Sequence, residues 1–379
     1  MISKIEIKNY KAFDIEVNAL ELRPITLLIG KNSSGKSSLC KLLPMLENAT
    51  SGNLNTPLLL NNNDITLGSR FEDLFHNGAT TDLTFRVYYD EGIFVGATYL
   101  MLEGKLLVYQ YEVSDGVSSN VFLYDDRKLS ESTSFNGLVQ TEIFQKLGLD
   151  VSQFKFNIDY LGPMRIESKR TIDFGGYRKI DYVGKQGENT YSVLLNSYLQ
   201  EDGLFKEVSK WMNDNMEGQE LAFKQTAPGT YALIVIRDGA EVNIADVGYG
   251  LGQVLPIITQ SFMAKGGDVV VIEQPVLHLH PAAHANVAYR LAESAKTTGR
   301  KYLIETHSEN FLLGLRKLVS DPQSDFNVDD VIIYYVNHDG EAAYLEPITV
   351  DENGELSSWP TGVFSESFDL MAEIMNNKK

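Results

Sequence analysis

The sequence predicts an α/β fold: a parallel core sheet with helices on it, and an antiparallel sheet lying to the side. Three observations predict it. Ile25 to Ile29 is almost wholly apolar, ends at Gly30, and runs through a glycine loop into a helical stretch from Lys36 to Leu46, the pattern of a buried parallel strand feeding a helix. Val269-Val270-Val271-Ile272 is a second such strand, and it ends in an acid, Glu273. From Leu83 to about Asp126 the apolar period falls to two, with Leu83, Phe85, Val87 and Tyr89 on one stripe and Leu107, Tyr109, Tyr111 and Val113 on another, which is antiparallel patterning.

The elements follow in order. Ile5 and Ile7, then Phe13, Ile15 and Val17, read as two short strands. The helix after the loop presents Leu39, Leu42, Leu43 and Leu46, and Pro44 is expected to kink or shorten it near its end. Ser51 to Asp64 holds five asparagines and reads as a loop, and Ser114 to Asn120 as a turn-rich connector. Gly162 to Gly187 is expected to be an ordered surface loop, Thr190 to Met212 a helix, and Tyr231 to Ile236 a strand. An apolar helix is expected from Val254. Pro281 to Lys296 is an alanine-rich helix with proline in its first turn. Tyr302 to Glu305 is a strand, and Ser308 opens another helix. Val331 to Val336 and Ala342 to Leu345, joined by Asn337-His338-Asp339-Gly340, read as a hairpin. The tail from Asp351 holds the Trp359-Pro360 turn and one amphipathic helix. No heptad run is present, which excludes a long coiled coil.

Composition narrows the function. The 379 residues, 43% hydrophobic and 22% charged, suit two domains or one large domain with insertions. A net charge of −18 disfavours general coating of nucleic acid. The single cysteine, Cys40, excludes an intrachain disulfide and a multi-cysteine metal site. Lys4, Glu6 and Lys8 argue against a signal peptide at the start, and no apolar run is long enough for a membrane span. A cytoplasmic protein is therefore expected, with no membrane partner.

Gly30-Lys31-Asn32-Ser33-Ser34-Gly35-Lys36-Ser37 fits G-x-x-x-x-G-K-[ST] at every fixed position. Successive backbone N–H groups in such a loop converge on phosphate oxygens, and the helix start adds partial positive charge. Gly30, Asn32, Ser33, Ser34, Gly35, Lys36, Ser37 and Ser38 are thus expected to bind ATP. Lys36 reaches the outer phosphates and the Ser37 hydroxyl ligates Mg²⁺. Glu273, at the carboxyl end of a buried strand, is placed to hold the metal beside Ser37 or to activate water. His307 in Ile304-Glu305-Thr306-His307-Ser308 stands at another strand end, within expected reach of a γ-phosphate. Asp246-Val247-Gly248-Tyr249-Gly250-Leu251-Gly252-Gln253 places three glycines ahead of a helix, a second anion-binding start. With one phosphate loop already present, a second points to the ATP of a partner subunit.

This order of motifs resembles the ABC-type P-loop ATPase heads, a superfamily that includes SMC-type heads, RecF and the OLD ATPases. Within it, Ile272-Glu273-Gln274-Pro275-Val276-Leu277-His278-Leu279-His280-Pro281, the Asn9-Tyr10-Lys11-Ala12-Phe13 opening, Tyr160-Leu161-Gly162-Pro163-Met164-Arg165 and the Trp359-Pro360 tail are similar to small bacterial AAA-family ATPases of the kind found in anti-phage defence. The resemblance implies a head at residues 1–330, split by a mainly β lateral insertion at about 80–160, with a small hairpin and helix element at 331–379. It implies a dimer or higher oligomer formed around ATP. Lys11 and Phe13 would lie by the adenine; Gly250, Gly252 and Gln253 would reach the partner's γ-phosphate; His307 would be the switch histidine; Leu277 to Pro281 would face the dimer. The Leu67 to Glu72 segment would replace the usual glutamine loop.

Three departures bear on activity. Aligning Glu273 with the usual metal-binding Asp puts Gln274 where most heads carry the catalytic Glu. Glutamine positions water but cannot take its proton, so slow hydrolysis is expected, unless Glu273 is itself the base. Val276 stands where many relatives have a Glu, and Gly252 replaces a signature serine and its hydroxyl. His278, His280 and His284 cluster, but without a Cys or a close Asp they read as a contact loop rather than a metal site. Arg165, Lys169, Arg170, Arg178 and Lys179 form the one notable basic stretch, read as a solvated loop. The expectation is an ATPase that regulates or scaffolds a separate effector. The alternative is a RecF-like DNA-repair ATPase.

Overall fold

The computed structural model describes residues 1–124, 135–263, 267–359, 371 and 373–376. In chain order, β1 (Ile2–Lys8) and β2 (Asn18–Glu21) precede β3 (Ile25–Ile29), whose five residues are all buried, and helix α1 (Lys36–Thr50). The short β4 (Asn61–Asn62) and β5 (Ile65–Thr66) pair with each other. A meander follows: β6 (Leu83–Tyr89), β7 (Ile93–Leu102), β8 (Lys105–Asp115) and β9 (Ser119–Leu123). Next come β10 (Phe135–Asn136), β11 (Val139–Gln140), α2 (Thr141–Leu147) and β12 (Ile158–Leu161). Then β13 (Ile172–Asp173), α3 (Thr190–Gln200), α4 (Leu204–Asn215), β14 (Glu220–Ala227), β15 (Thr230–Arg237) and β16 (Ala240–Asn243). The rest is α5 (Tyr249–Phe262), β17 (Val269–Glu273), α6 (Pro281–Thr298), β18 (Lys301–Glu305), α7 (Glu309–Ser320), β19 (Val331–His338) and β20 (Ala343–Ile348).

Two six-stranded sheets dominate. The core sheet runs β12-β17-β18-β3-β19-β20, parallel except for the last pair. The lateral sheet runs β2-β1-β6-β7-β8-β9 and is antiparallel throughout. Alternation along the core strands assigns their two faces. Val269, Val271 and Leu303 join the cluster formed with α1 and the lateral sheet. Val270, Ile272, Tyr302 and Ile304 join the cluster formed with α3 to α7. Burial on both faces is why these strands read as continuous apolar runs. The fold is thus α/β, and the longest helix among the described residues, α6, has 18 residues, so these residues hold no long coiled coil. No helix among them is long and apolar enough to cross a membrane.

Several expectations need correction. The second strand is Asn18–Glu21, not Phe13 to Val17: Ile15 and Val17 are exposed, and Phe13 makes one isolated bridge to Ala343. Pro44 does not shorten α1, which runs on to Thr50 because Leu42, Leu43, Met45 and Leu46 are all buried; packing overrides propensity. Thr190 to Met212 is two helices, broken where Glu201 and Gly203 take positive φ. The lateral sheet contains the N-terminal β1 and β2 as well as the insertion. The hairpin β19–β20 extends the core sheet, where β19 pairs in parallel with β3 from Val331↔Ile25 to Tyr335↔Ile29. A further, four-stranded antiparallel sheet, β13-β15-β14 with β16 on β15, goes beyond the single strand expected at its centre. The tail helix and Pro360 lie outside the described residues, apart from isolated positions; Trp359 stacks under Arg316, 5.9 Å from guanidinium carbon to ring centre.

Candidate functional site

The ends of β3, β17 and β18 lie side by side, and the phosphate loop leaves β3 there. Gly30 has φ 145°, and a side chain on it would meet the Val336 carbonyl at 2.6 Å, so only glycine fits. Ser33 and Gly35 also take positive φ, which curls the loop over the start of α1. Lys36 is 3% exposed, and its Nζ donates to the Gly30 carbonyl at 2.9 Å and the Lys31 carbonyl at 2.7 Å. It therefore lies across its own loop, held by main-chain oxygens. Burial lowers its pKa, opposed by the nearby Glu305 carboxylate. The Ser34 hydroxyl is buried with no partner. A buried, unbonded hydroxyl inside this glycine loop fits a phosphate that supplies the missing partner. Asn32 and Ser33 are exposed at the loop tip, and Ser38 donates its N–H to the Gly35 carbonyl at 3.0 Å.

Behind the loop stands a pair of acids. Glu273 and Glu305 end adjacent strands in register, and are 3% and 6% exposed. Ser37 Oγ donates to Glu305 Oε2 at 2.8 Å, and the Tyr160 hydroxyl donates to Glu273 Oε1. Ligand atoms of Cys40, Glu273 and Glu305 all lie within 4.8 Å of one another. Burial, and then the neighbouring Glu273, push the Glu305 carboxyl up; burial likewise pushes the Cys40 thiol up and keeps it protonated. The usable donors are therefore oxygens: two carboxylates and the Ser37 hydroxyl, a set suited to Mg²⁺. Glu305 and Tyr160 were not among the expected site residues. Glu305 was visible only as the residue two before His307, and nothing in the sequence sets its register against Glu273.

His307 lies just beyond β18; partial desolvation of its ring, followed by the charge of Lys36, lowers its pKa and favours the neutral form. Gln274 is half-buried with φ 52°; its N–H donates to the Glu305 carbonyl at 2.8 Å and its carbonyl accepts from Arg165 at 3.2 Å. Phe13 is wholly buried, and a side chain on Gly35 would touch its ring at 3.1 Å. It supports the loop from below and is no free face for a base to stack on. Lys11 Nζ donates to the Leu67 carbonyl, which ties the opening to the Leu67 to Glu72 segment.

The glycine signature lies in the first turns of α5, which starts at Tyr249, five residues earlier than expected. A side chain on Gly250 would meet the His278 carbonyl at 2.5 Å, and one on Gly252 would overlap Ser168 Oγ. The early helix start also turns Gln253 inward: it is 2% exposed and does not project toward a partner. The three histidines take separate partners. His278 sits edge-on to Tyr249, His280 caps α6 at Ala282 N, and His284 bonds Ser308 Oγ at 2.7 Å. In the basic stretch, Arg165 is buried, Arg170 forks Asp246 and Lys179 pairs Asp181.

Comparison with known proteins places the chain in a family. Residues 25–314 match the family described as "AAA domain, putative AbiEii toxin, Type IV TA system", and residues 326–374 match a protein family of unknown function, DUF3696. No curated protein matches. Among solved structures, the chain is similar to an SMC head bound to the C-terminal winged-helix domain of ScpA, with a TM-score of 0.54 and 12% identity over 92% of this chain and 98% of that one. It is also similar to the SMC head domain from Thermotoga maritima, with a TM-score of 0.46 and 12% identity over 92% and 99% of the two chains. The chain belongs to the AAA-domain family of the AbiEii type and has the fold of an ABC/SMC-like P-loop ATPase head.

Proposed function

We propose that the protein binds ATP with Mg²⁺, hydrolyses it slowly, and pairs with a second copy around the nucleotide to hold or release a separate effector protein in the bacterial cytoplasm, in anti-phage defence. The observation that carries this reading is the juxtaposition of Lys36, Ser37, Glu305 and Glu273 at one sheet edge beneath a glycine loop. Lys36 would exchange its loop carbonyls for the outer phosphates. Ser37, Glu273 and Glu305 would hold Mg²⁺, which would supply Lewis-acid stabilisation of charge on the phosphoryl oxygens. Gln274 would orient the attacking water, and neutral His307 would donate a hydrogen bond to the γ-phosphate. With Glu273 and Glu305 engaged on Mg²⁺ and no carboxylate at 274, the water's proton would lack a free acceptor, hence the slow turnover.

The family description places relatives in toxin–antitoxin systems, and the similar SMC head is bound to a partner protein. Both support a role in which ATP occupancy governs a second polypeptide. Duplex DNA is the weaker reading, since within the basic stretch Arg165 is buried and Arg170 and Lys179 are ion-paired, and the net charge is −18. Calorimetric titration with ATP·Mg²⁺ tests the site. The wild-type chain is expected to bind and Lys36→Ala to lose binding; equal affinity in the two would overturn the assignment.

A further inference from the structure

We infer that Arg165 is a positioning residue for hydrolysis, clamping the turn at Gln274 so that its side chain is presented to the attacking water. The inference rests on the reading above that Gln274 orients that water. Arg165 is 5% exposed, and its two terminal nitrogens reach two consecutive carbonyls: Nη2 donates to Glu273 O at 2.7 Å and Nη1 to Gln274 O at 3.2 Å. These carbonyls bracket the point where β17 ends and the chain turns.

Gln274 needs such a clamp. Its φ of 52° is left-handed, which a residue with a side chain adopts only at a cost in energy. Such a conformation persists when its surroundings over-determine it. Here β18 holds one side, through Gln274 N–H to the Glu305 carbonyl at 2.8 Å, and Arg165 holds the other. The residue next to the buried acid is thus fixed from both flanks.

Arg165 is also costly as mere filling. Its Nε is buried without a hydrogen-bond partner, and no carboxylate forms an ion pair with the guanidinium among the described residues. An apolar side chain of similar size would occupy the space at lower desolvation cost. Lysine cannot replace it, because one ammonium lacks the rigid fork that spans two carbonyls. The segment continues to Ser168, whose hydroxyl packs against Gly252 in the first turn of α5. One strap therefore touches both the acid-strand turn and the signature helix.

The test uses the full chain with ATP·Mg²⁺, measuring phosphate release and nucleotide affinity for wild type, Arg165→Met, Arg165→Lys, Gln274→Ala and the Arg165→Lys/Gln274→Ala double variant. Arg165→Met is expected to lower kcat by roughly tenfold or more with affinity within about twofold, the signature of an interaction needed only for the chemical step. In the Gln274→Ala background, Arg165→Lys is expected to change kcat by less than about twofold, because the two residues act as a unit. Wild-type kcat in Arg165→Met overturns the proposal, as does an Arg165→Lys loss that is just as large without Gln274. If Arg165→Met does not fold, the lysine cycle decides alone. Should the wild type bind no ATP, and Lys36→Ala bind no less, the reading beneath fails and the proposal goes with it. Wild-type binding that Lys36→Ala abolishes isolates the Arg165 question.

Discussion

The two six-stranded sheets handle buried charge in opposite ways. In the lateral sheet, Arg86 forks Glu112 at 2.9 and 2.8 Å and reaches Glu6 at 3.5 Å, so its acids share a cation. At the carboxyl edge of the core sheet, Glu273 and Glu305 stand side by side, met by the hydroxyls of Tyr160 and Ser37. The cations there, Lys36 and Arg165, are turned onto main-chain carbonyls. The first arrangement is complete as it stands. The second keeps two buried carboxyl groups adjacent and a buried hydroxyl, Ser34, unbonded, a stock of polar groups that a charged ligand and a divalent cation would satisfy. A region rich in unmet polar capacity is where binding chemistry belongs; a region of paired charges is a support.

This contrast can be broken by mutation. The largest effect is expected for Lys36→Ala, which should weaken ATP binding by about 100-fold or more, near 3 kcal/mol, as read by calorimetry. Arg86→Ala, in the lateral sheet, should do the reverse. It leaves Glu112 and Glu6 without their cation and should cost about 2–3 kcal/mol in denaturant unfolding, while ATP affinity stays unchanged. A change in affinity there would show that the lateral sheet is no mere support.

Glu47 sharpens the comparison through pH. It lies on α1, accepts from Ile158 N–H at 3.0 Å, and burial pushes its carboxyl up to about 7. Folded Glu47 binds its proton more tightly than the unfolded chain does. Its contribution is therefore fully present below the unfolded carboxylate range and is lost as pH rises through about 7. Glu47→Gln keeps the acceptor and should be more stable than wild type at pH 8 by about 2–3 kcal/mol, the gap closing toward pH 4. A pH-independent difference would sink this account. The smallest effect expected is for Gln274→Glu, a several-fold rise in turnover, on the order of 1 kcal/mol in the barrier. No change would favour Glu273 or Glu305 as the proton acceptor.

Much of this was legible in the sequence because its signals are local. The phosphate loop is a contiguous motif, β17 is an apolar run closed by an acid, and the period of two marks β6 to β8. What was not legible depends on register and long-range approach. Glu305 reaches Ser37 across 268 positions, and Tyr160 reaches Glu273 across 113. No periodicity encodes such distances. Arg165 stood in a recognisable segment, yet its basic neighbours made it read as surface when it is buried. The start of α5 was misplaced because Gly250 and Gly252 are poor helix formers; Ser168 and the His278 carbonyl need their missing side chains for close approach. Gln253 followed that error and turned inward.

The central claim is that ATP held at this edge assembles the protein with itself and with an effector. The most direct test is the native mass of the protein co-purified with the products of its neighbouring genes, with ATP·Mg²⁺ and without nucleotide, for wild type and Lys36→Ala. The account predicts an assembly of at least two copies plus a second polypeptide, formed with ATP by the wild type and lost in Lys36→Ala. A single mass, unchanged by nucleotide and by the substitution, would contradict it.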